Sequence, residues 1–331
     1  MRDKRRLRHI AGIAALLLFF VLLNGGMYLL VTQRLRNNFS GASQLKMIDV
    51  GAYLPFEPGS KLAHIDSDLC LEGELPVLDG AAALVPVYAA VIDSLYPEGS
   101  VTYEGGAFSD DNFYGENFAA DSKMQYHNTV RGFRAVVDGS VDLFFSAAPS
   151  KEQLAYAEEQ GVELVCVPIG LEAFVFFVNA NNPVDSLTQD ELRGIYAGDY
   201  SDWSQLGGPR RPINPVTRVA GSGSQTVMEH FMGDTPFGPK SPLAMFGGSI
   251  GYSFRFFLQG MAGSENVKTL AVDGVAPSAE AIRSRSYPLV YPFYVIYRAD
   301  NANPNVPLLA DWLLSDDGQR LLEATGYVGI G

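Results

Sequence analysis

Two kinds of apolar run alternate along this chain. Short stretches rich in β-branched and aromatic residues read as strands: Leu75–Leu78, Val101–Glu104, Val141–Phe145, Val162–Val167, Ala173–Val178, Ile213–Val219, Val267–Val272 and the longer Tyr287–Tyr297. Pro168-Ile169-Gly170 is expected to separate the fourth from the fifth. Helical spacing recurs between them, with apolar positions three and four apart, as in Thr129–Val137, which Asp138-Gly139 ends. Ser150 with Gln153 and Thr188 with Glu191 form capping boxes, Ser315 caps a late helix, and His127 and Asn128 open another, as caps ahead of the alternative that they are cleft residues. Strands alternating with helices predict an α/β fold with parallel sheets. The aromatic clusters Phe174–Phe177 and Tyr291–Tyr297 read as core rather than as a stacking platform for bases, which would need basic neighbours.

One segment breaks this alternation. Ile10–Val31 is uncharged and mostly apolar over 22 residues, roughly 33 Å as a helix and long enough to cross a bilayer. Residues 1–9 form a basic segment of net charge +4, which should stay in the cytoplasm and send the C-terminal side out. The expectation is an uncleaved anchor over residues 10–31, ahead of a cleaved signal peptide because the apolar run is long and no small-residue cleavage box follows it, giving a single-pass protein of the cell membrane with its folded part outside. Residues 32–74, punctuated by Pro and Gly, read as a tether.

The rest of the chain carries a net charge of −17. So acidic a body excludes a groove that neutralises nucleic-acid phosphates, although neutral backbone dipoles can hold one small buried anion. The two cysteines, Cys70 and Cys166, are too few for a disulfide framework, and Cys166 in its apolar run reads as a buried small hydrophobe. Four histidines without ligand spacing give no support for a metal, and no cofactor is expected.

The chemistry concentrates in Arg218-Val219-Ala220-Gly221-Ser222-Gly223-Ser224-Gln225-Thr226, followed by the helical Val227–Met232. Glycines permit a tight turn, hydroxyl residues open the helix, and the free N–H groups of its first turn point outward: an anion cradle. Arg218 adds a forked pair of donors suited to a tetrahedral anion. The third glycine of a dinucleotide fingerprint is replaced by Thr226, and no Gly-x-Ser-x-Gly elbow occurs. Asp79-Gly80-Ala81-Ala82-Ala83, between a strand and a helix, has the form of a second anion loop.

Two extended runs near 169–179 and 287–297 divide the chain after the tether into three pieces. Outer pieces folding together and a middle piece folding alone would make those runs hinge strands. Gly170–Asn179, Gly221–Thr226, Ile250–Phe254 and Gly318-Gln319 together resemble the phosphate-binding proteins of bacterial ABC phosphate importers, in a branch common in Gram-positive bacteria. The resemblance covers about residues 75–331. It implies a two-lobed periplasmic-binding-protein-like (type II) fold with a two-strand hinge, lobe 1 over 75–170 plus 290–331 and lobe 2 over 171–289. It further implies a phosphate held by uncharged donors and one arginine, delivery to permease subunits, and a monomer. Carried over by position, the ligand residues are Arg218, Ser222 and Ser224, the backbone of Gly221 and Gly223, Ser146, and the backbone of Gly80, Ala81 and Ala82. Ala82 stands where the family has a hydroxyl, Ala147 where it has the carboxylate that accepts from protonated phosphate, and Ala220 where an acid braces the arginine.

Without that acceptor, discrimination between hydrogen phosphate and sulfate-like anions should weaken. The same losses motivate an alternative reading as a sensor or adaptor with weak or altered binding. An enzyme is the third class, and no nucleophile with a base, carboxylate pair or metal set stands in motif spacing.

Overall fold

The computed structural model describes residues 2–37, 48–108, 114–239, 244, 247–258 and 266–330. After helix α1 (Arg2–Asn37), the first part contains β1 (Leu78–Gly80), α2 (Val85–Leu95), the hairpin β2 (Tyr103–Phe108) and β3 (Tyr114–Phe118), α3 (Asn128–Asp138), β4 (Leu143–Ala147) and α4 (Lys151–Glu159). The middle holds β5 (Leu164–Asn179), β6 (Ser186–Leu187), α5 (Gln189–Ala197), β7 (Ile213–Pro215), α6 (Gly223–Met232), β8 (Gly248–Phe254), β9 (Val267–Thr269), β10 (Ala271–Val272) and α7 (Ala279–Arg283). The chain closes with β11 (Val290–Arg298), α8 (Asn305–Leu314), α9 (Asp316–Ala324) and β12 (Val328–Gly329).

An eight-stranded sheet runs in the order β1-β4-β11-β5-β8-β7, with β12 and β9 also pairing with β5. It is mixed, not parallel as the alternation suggested. β1 with β4 and β7 with β8 are parallel, whereas β11 lies antiparallel to both β4 and β5, and β5 antiparallel to β8. The long strand β5 joins the two halves, pairing with β11 over Leu164–Ala173 and with β8 over Phe174–Val178. Ile169–Val178 is buried throughout, which explains the unbroken Phe-Val-Phe-Phe-Val run in a strand covered on both faces.

Pro168-Ile169-Gly170 therefore does not interrupt the strand. Pro168 pairs with Tyr294 at a register shift in β11, where a missing donor is tolerated. A Cβ on Gly170 would lie 2.3 Å from Phe293 Cζ, so the glycine lets that ring close on the strand. Two other expected strands are shorter. β7 stops at Pro215, and Val267–Val272 divides at Leu270 because β9 pairs with β5 while β10 pairs with β6.

Two apolar clusters flank the crossover. One gathers Leu78, Val85–Ile92, Phe145, Ile169, Phe293, Leu309 and Leu321, and the other Phe174, Phe176, Trp203, Met228, Tyr252 and Ile282. The chain passes from the first to the second between Ile169 and Leu171 and returns between Leu289 and Phe293. A small third cluster under α3 contains Phe133, Val136, Phe144 and Ile296.

The segment 48–71, expected within a tether, instead packs on the first cluster. Ile48 and Val50 are buried in it, and Leu62, Ile65, Leu69 and Leu71 lie against it. Ser67 accepts from Trp312 Nε1 (2.9 Å) and donates to Asp317 (2.8 Å), and Asn305 donates to the carbonyls of Glu72 and Glu74. Residues 38–47 of that tether lie outside the described residues. Over Gly12–Leu29 none of α1 is buried, and the mean hydropathy is 2.0. That stretch is long and apolar enough to cross a membrane. Cys70 and Cys166 are both exposed and unpaired, contrary to the buried reading of Cys166, because the first residues of β5 are covered on one face only.

Candidate functional site

The parallel register of β1 and β4 sets Gly80 opposite Phe145, so both strands release their loops at one edge. Beyond that register β4 continues to Ser146 and Ala147, both buried. In the other half, β7 leads through residues 216–222 into α6. Ser222 is the N-cap of α6, its hydroxyl accepting from Gln225 N (3.3 Å), as the sequence pattern required. Gly221 has φ +76°, in the left-handed region that favours glycine.

The cradle and the first half meet. A Cβ on Gly223 would lie 3.6 Å from that of Ala147, and one on Gly221 would lie 3.4 Å from Val130 in the first turn of α3. The opening of α3 also reaches the first loop, where Asn128 Oδ1 accepts from Ala82 N at 3.4 Å. Asn128 itself sits at φ 59°, a conformation asparagine tolerates better than most side chains, and its Oδ1 also accepts from Thr129 N. Ala82 and Gly221 thus lie at the start of α3, and Ala147 at the start of α6.

Two of the expected backbone donors are committed elsewhere. Gly80 N donates to Asp79 Oδ1 (2.7 Å) and Ala81 N to the carbonyl of Phe145 (2.8 Å). Glycine is required at position 80, because a Cβ would lie 2.8 Å from both Phe145 O and Tyr88 Cε1. The reason is register: Ala81 extends the β1–β4 ladder by one bond, and the buried Asp79 turns back on the next amide. Of the three residues expected there, Ala82 keeps the least committed amide, its one contact being long.

Arg218 is held through its backbone. Its N–H donates to Tyr252 Oη and Gln225 Oε1 (3.1 Å each), Tyr252 also bonds Gln225, and Gln225 Nε2 donates to Glu229 (2.9 Å). Neither Tyr252 nor Gln225 was singled out for this from sequence. Burial lowers the proton affinity of the Arg218 guanidinium. Arg193, Arg255, Arg283, Arg298 and Arg320 form ion pairs with Asp190, Glu172, Glu323, Asp300 and Asp317. The Arg218 guanidinium has no carboxylate or hydrogen-bond partner among the described residues, in keeping with Ala220 where a brace was expected. A partly buried cation left so is costly unless something anionic joins it. The hydroxyls of Ser146 and Ser224, both buried, likewise make no hydrogen bond among the described residues.

The largest omission of the sequence reading is Asp79. It is fully buried, and besides Gly80 N it accepts from His127 N (3.0 Å) and pairs with His127 Nδ1 (2.7 Å). His127 occupies the N-cap position of α3 but makes no side-chain cap bond. Its hydrogen bond to Asp79 raises its proton affinity, with burial opposing. A charged residue ending the apolar run Leu75–Leu78 was the available signal.

At the crossover, Glu172 in β5 is buried, accepts from Ala173 N (2.8 Å) and Phe256 N (3.3 Å), and lies 3.4 Å from Arg255 Nε. Burial pushes its carboxyl up to about 7 against the opposing pull of Arg255. Arg255 in turn donates to the carbonyl of Gly326 (3.1 Å), tying the end of β8 to the segment before β12.

Residues 109–317 match the family model of the PBP superfamily domain. The phosphate-binding protein PstS of Bacillus subtilis (strain 168) is 25% identical over 232 residues, 66% of this chain and 75% of that protein. SphX of Synechococcus elongatus is 26% identical over 297 residues, 77% of this chain and 86% of its own length. Among solved structures, a substrate-binding protein of Clostridium perfringens, assigned to phosphate ABC transport and carrying bound phosphate, aligns with a TM-score of 0.55 at 20% identity, covering 77% of this chain and 99% of that one. A phosphate-binding protein of Stenotrophomonas maltophilia aligns at 0.51 and 14%, covering 78% and 91%. These likenesses extend to the fold.

Proposed function

This chain belongs to the PBP superfamily, and from that membership we propose that it captures phosphate, or a related tetrahedral oxyanion, for an ABC importer. The observation that carries the reading is the Arg218 guanidinium, partly buried beside a helix start and without an anionic partner among the described residues. In this reading residues 75–170 with 290–331, together with the strap 48–71, form one lobe and residues 171–289 the other. β5 and the segment entering β11 are the hinge. Arg218 supplies a forked pair of donors, Ser222, Ser224 and Ser146 supply hydroxyls, and the amides opening α6 at Gly221 and Gly223 complete the cradle. The first loop contributes through Ala82 rather than Gly80 or Ala81.

The chemistry required is binding alone, in keeping with a family of substrate-binding proteins and not enzymes. The apolar helix over residues 10–31 anchors the chain in the membrane, with the binding lobes extracytoplasmic, monomeric and within reach of permease subunits. A second reading, a sensor or adaptor with weak binding, draws on the commitment of the Gly80 and Ala81 amides and on the alanines at 82 and 147. Calorimetric titration of the detergent-solubilised full chain with phosphate and with sulfate separates them. Saturable heat with either anion supports capture. No heat from either removes the capture reading and leaves the adaptor. Permease and ATPase genes beside this one would favour transport, a kinase gene the sensor.

A further inference from the structure

Every side chain gathered around the cradle so far, Arg218, Ser146, Ser222 and Ser224, can donate a hydrogen bond, so these groups by themselves do not ask whether an oxyanion is protonated. The opening of α3 brings a group of another kind to the same place. His127 directly precedes Asn128, which holds the Ala82 amide, and stands three residues before Val130, which a Cβ on Gly221 would meet at 3.4 Å. Its ring is fixed at one end only. Nδ1 lies on the Asp79 carboxylate, whose side chain is 0% exposed, while the His127 side chain is 39% exposed. Nε2 therefore faces away from Asp79 and has no partner among the described residues.

Resting on the oxyanion reading above, we infer that His127 Nε2 faces the bound anion and sets its selectivity by protonation state. The logic lies in the two ring nitrogens. A carboxylate that already takes two backbone N–H groups can only accept, so Nδ1 keeps its hydrogen in both charge states of the ring. Losing a proton thus changes Nε2 alone. In the imidazolium, Nε2–H donates to any oxyanion oxygen, and sulfate and phosphate are both welcome. In the neutral ring, Nε2 presents a lone pair. That lone pair accepts the P–OH proton of hydrogen phosphate, whereas sulfate meets it with another lone pair and is rejected. One side chain thereby acts as a donor at lower pH and as an acceptor at higher pH.

Among the described residues, few charged and titratable groups surround the ring. Asp79 faces it from β1, and Arg131 and Asp138 act on it from α3 itself. Tyr88 of α2 and Tyr126 surround Asp79, with Glu116 of β3 behind Tyr126. Both tyrosines are pushed well up by burial, so neither titrates together with the imidazole. Across the gap the cradle contributes the permanent cation Arg218. The hydrogen bond to Asp79 holds the imidazolium to a higher pH than a free histidine would reach.

The test is calorimetry on the full chain in detergent micelles, with sulfate and inorganic phosphate as probes, between about pH 5.5 and pH 8.5, a window that spans the titration of a histidine. In wild type, the preference for phosphate over sulfate should rise about tenfold or more across that window, the scale of one hydrogen bond to a charged partner. In His127→Gln, whose amide does not titrate, only phosphate's own change of protonation remains in that window, so the ratio should change by several-fold less than in wild type. A flat ratio in wild type, or a variant that follows wild type, overturns the assignment. Binding of neither anion by wild type at any pH overturns the oxyanion reading itself, and this inference with it. Should the glutamine variant melt early, the wild-type imidazole can be titrated by NMR. Saturating sulfate must raise the His127 pKa, by reciprocity of proton and anion binding, and an unmoved pKa is equally fatal.

Discussion

Replacing Arg218 with methionine should move stability and binding in opposite directions. Burial already lowers the proton affinity of the guanidinium, and no acceptor or carboxylate among the described residues compensates it. Methionine keeps an unbranched stem of similar reach and removes the charge. Without ligand, the variant should therefore be more stable by about 1–2 kcal/mol, as when uncompensated buried charge gives way to apolar packing. For a chain of this size that corresponds to a rise of about 1–2 °C in Tm per kcal/mol. Binding should suffer far more. Each donor to a charged acceptor contributes about 1.5–3 kcal/mol, so losing the fork costs about 3–6 kcal/mol, a weakening of roughly 10²- to 10⁴-fold in Kd. Differential scanning fluorimetry of the solubilised full chain, with and without phosphate at a hundred times the wild-type Kd, reads both effects at once. Wild type gains about 2.7 kcal/mol from ligand at that concentration, while a variant weakened a hundredfold gains only about 0.4 kcal/mol. A variant that melts lower without ligand yet binds phosphate as tightly as wild type would refute the reasoning, because Arg218 would then be structural.

Three further perturbations test other parts of the account. Because burial raises Glu172 from 4.5 to about 7, the folded chain holds a proton that the unfolded chain has released. Its stability should fall by about 3 kcal/mol as pH rises through that window and level off above it, and Glu172→Gln should remove that slope in urea melts at a series of pH values. Gly132→Ala in α3 places a Cβ 2.4 Å from Phe144 Cε2. It should destabilise by about 1–2 kcal/mol in chemical denaturation despite alanine's better helix propensity, since overpacking outweighs it. Ser67→Ala removes the acceptor of Trp312 Nε1 and one of the donors to Asp317, which keeps Arg320. A loss of about 1–2 kcal/mol is expected, against none if residues 48–71 were a loose tether.

Much of the site was legible because it is local. The cap of α6 spans Ser222 to Gln225, the capping boxes span Ser150 to Gln153 and Thr188 to Glu191, and Gly139 closes α3 at φ 83°. Each is settled by residues within one helical turn, so the sequence states it directly. The first loop was misread for the opposite reason. Whether Gly80 and Ala81 offer their amides depends on Phe145, 64 residues after Ala81, and on how far the β1–β4 ladder runs. The Asp79–His127 pair joins residues 48 apart. No periodicity connects them.

By itself, the sequence determined where the helices begin and end, that one 22-residue apolar segment precedes the folded part, and that a glycine- and hydroxyl-rich turn opens a helix beside an arginine. Tertiary structure alone decided that β5 is a single strand joining the two halves of one sheet, that the strap belongs to a core, and that His127 receives a buried acid. The division has a physical cause. Propensity and capping act over three or four residues, whereas strand pairing, burial and the partner of a buried charge are settled by which distant surfaces exclude water together.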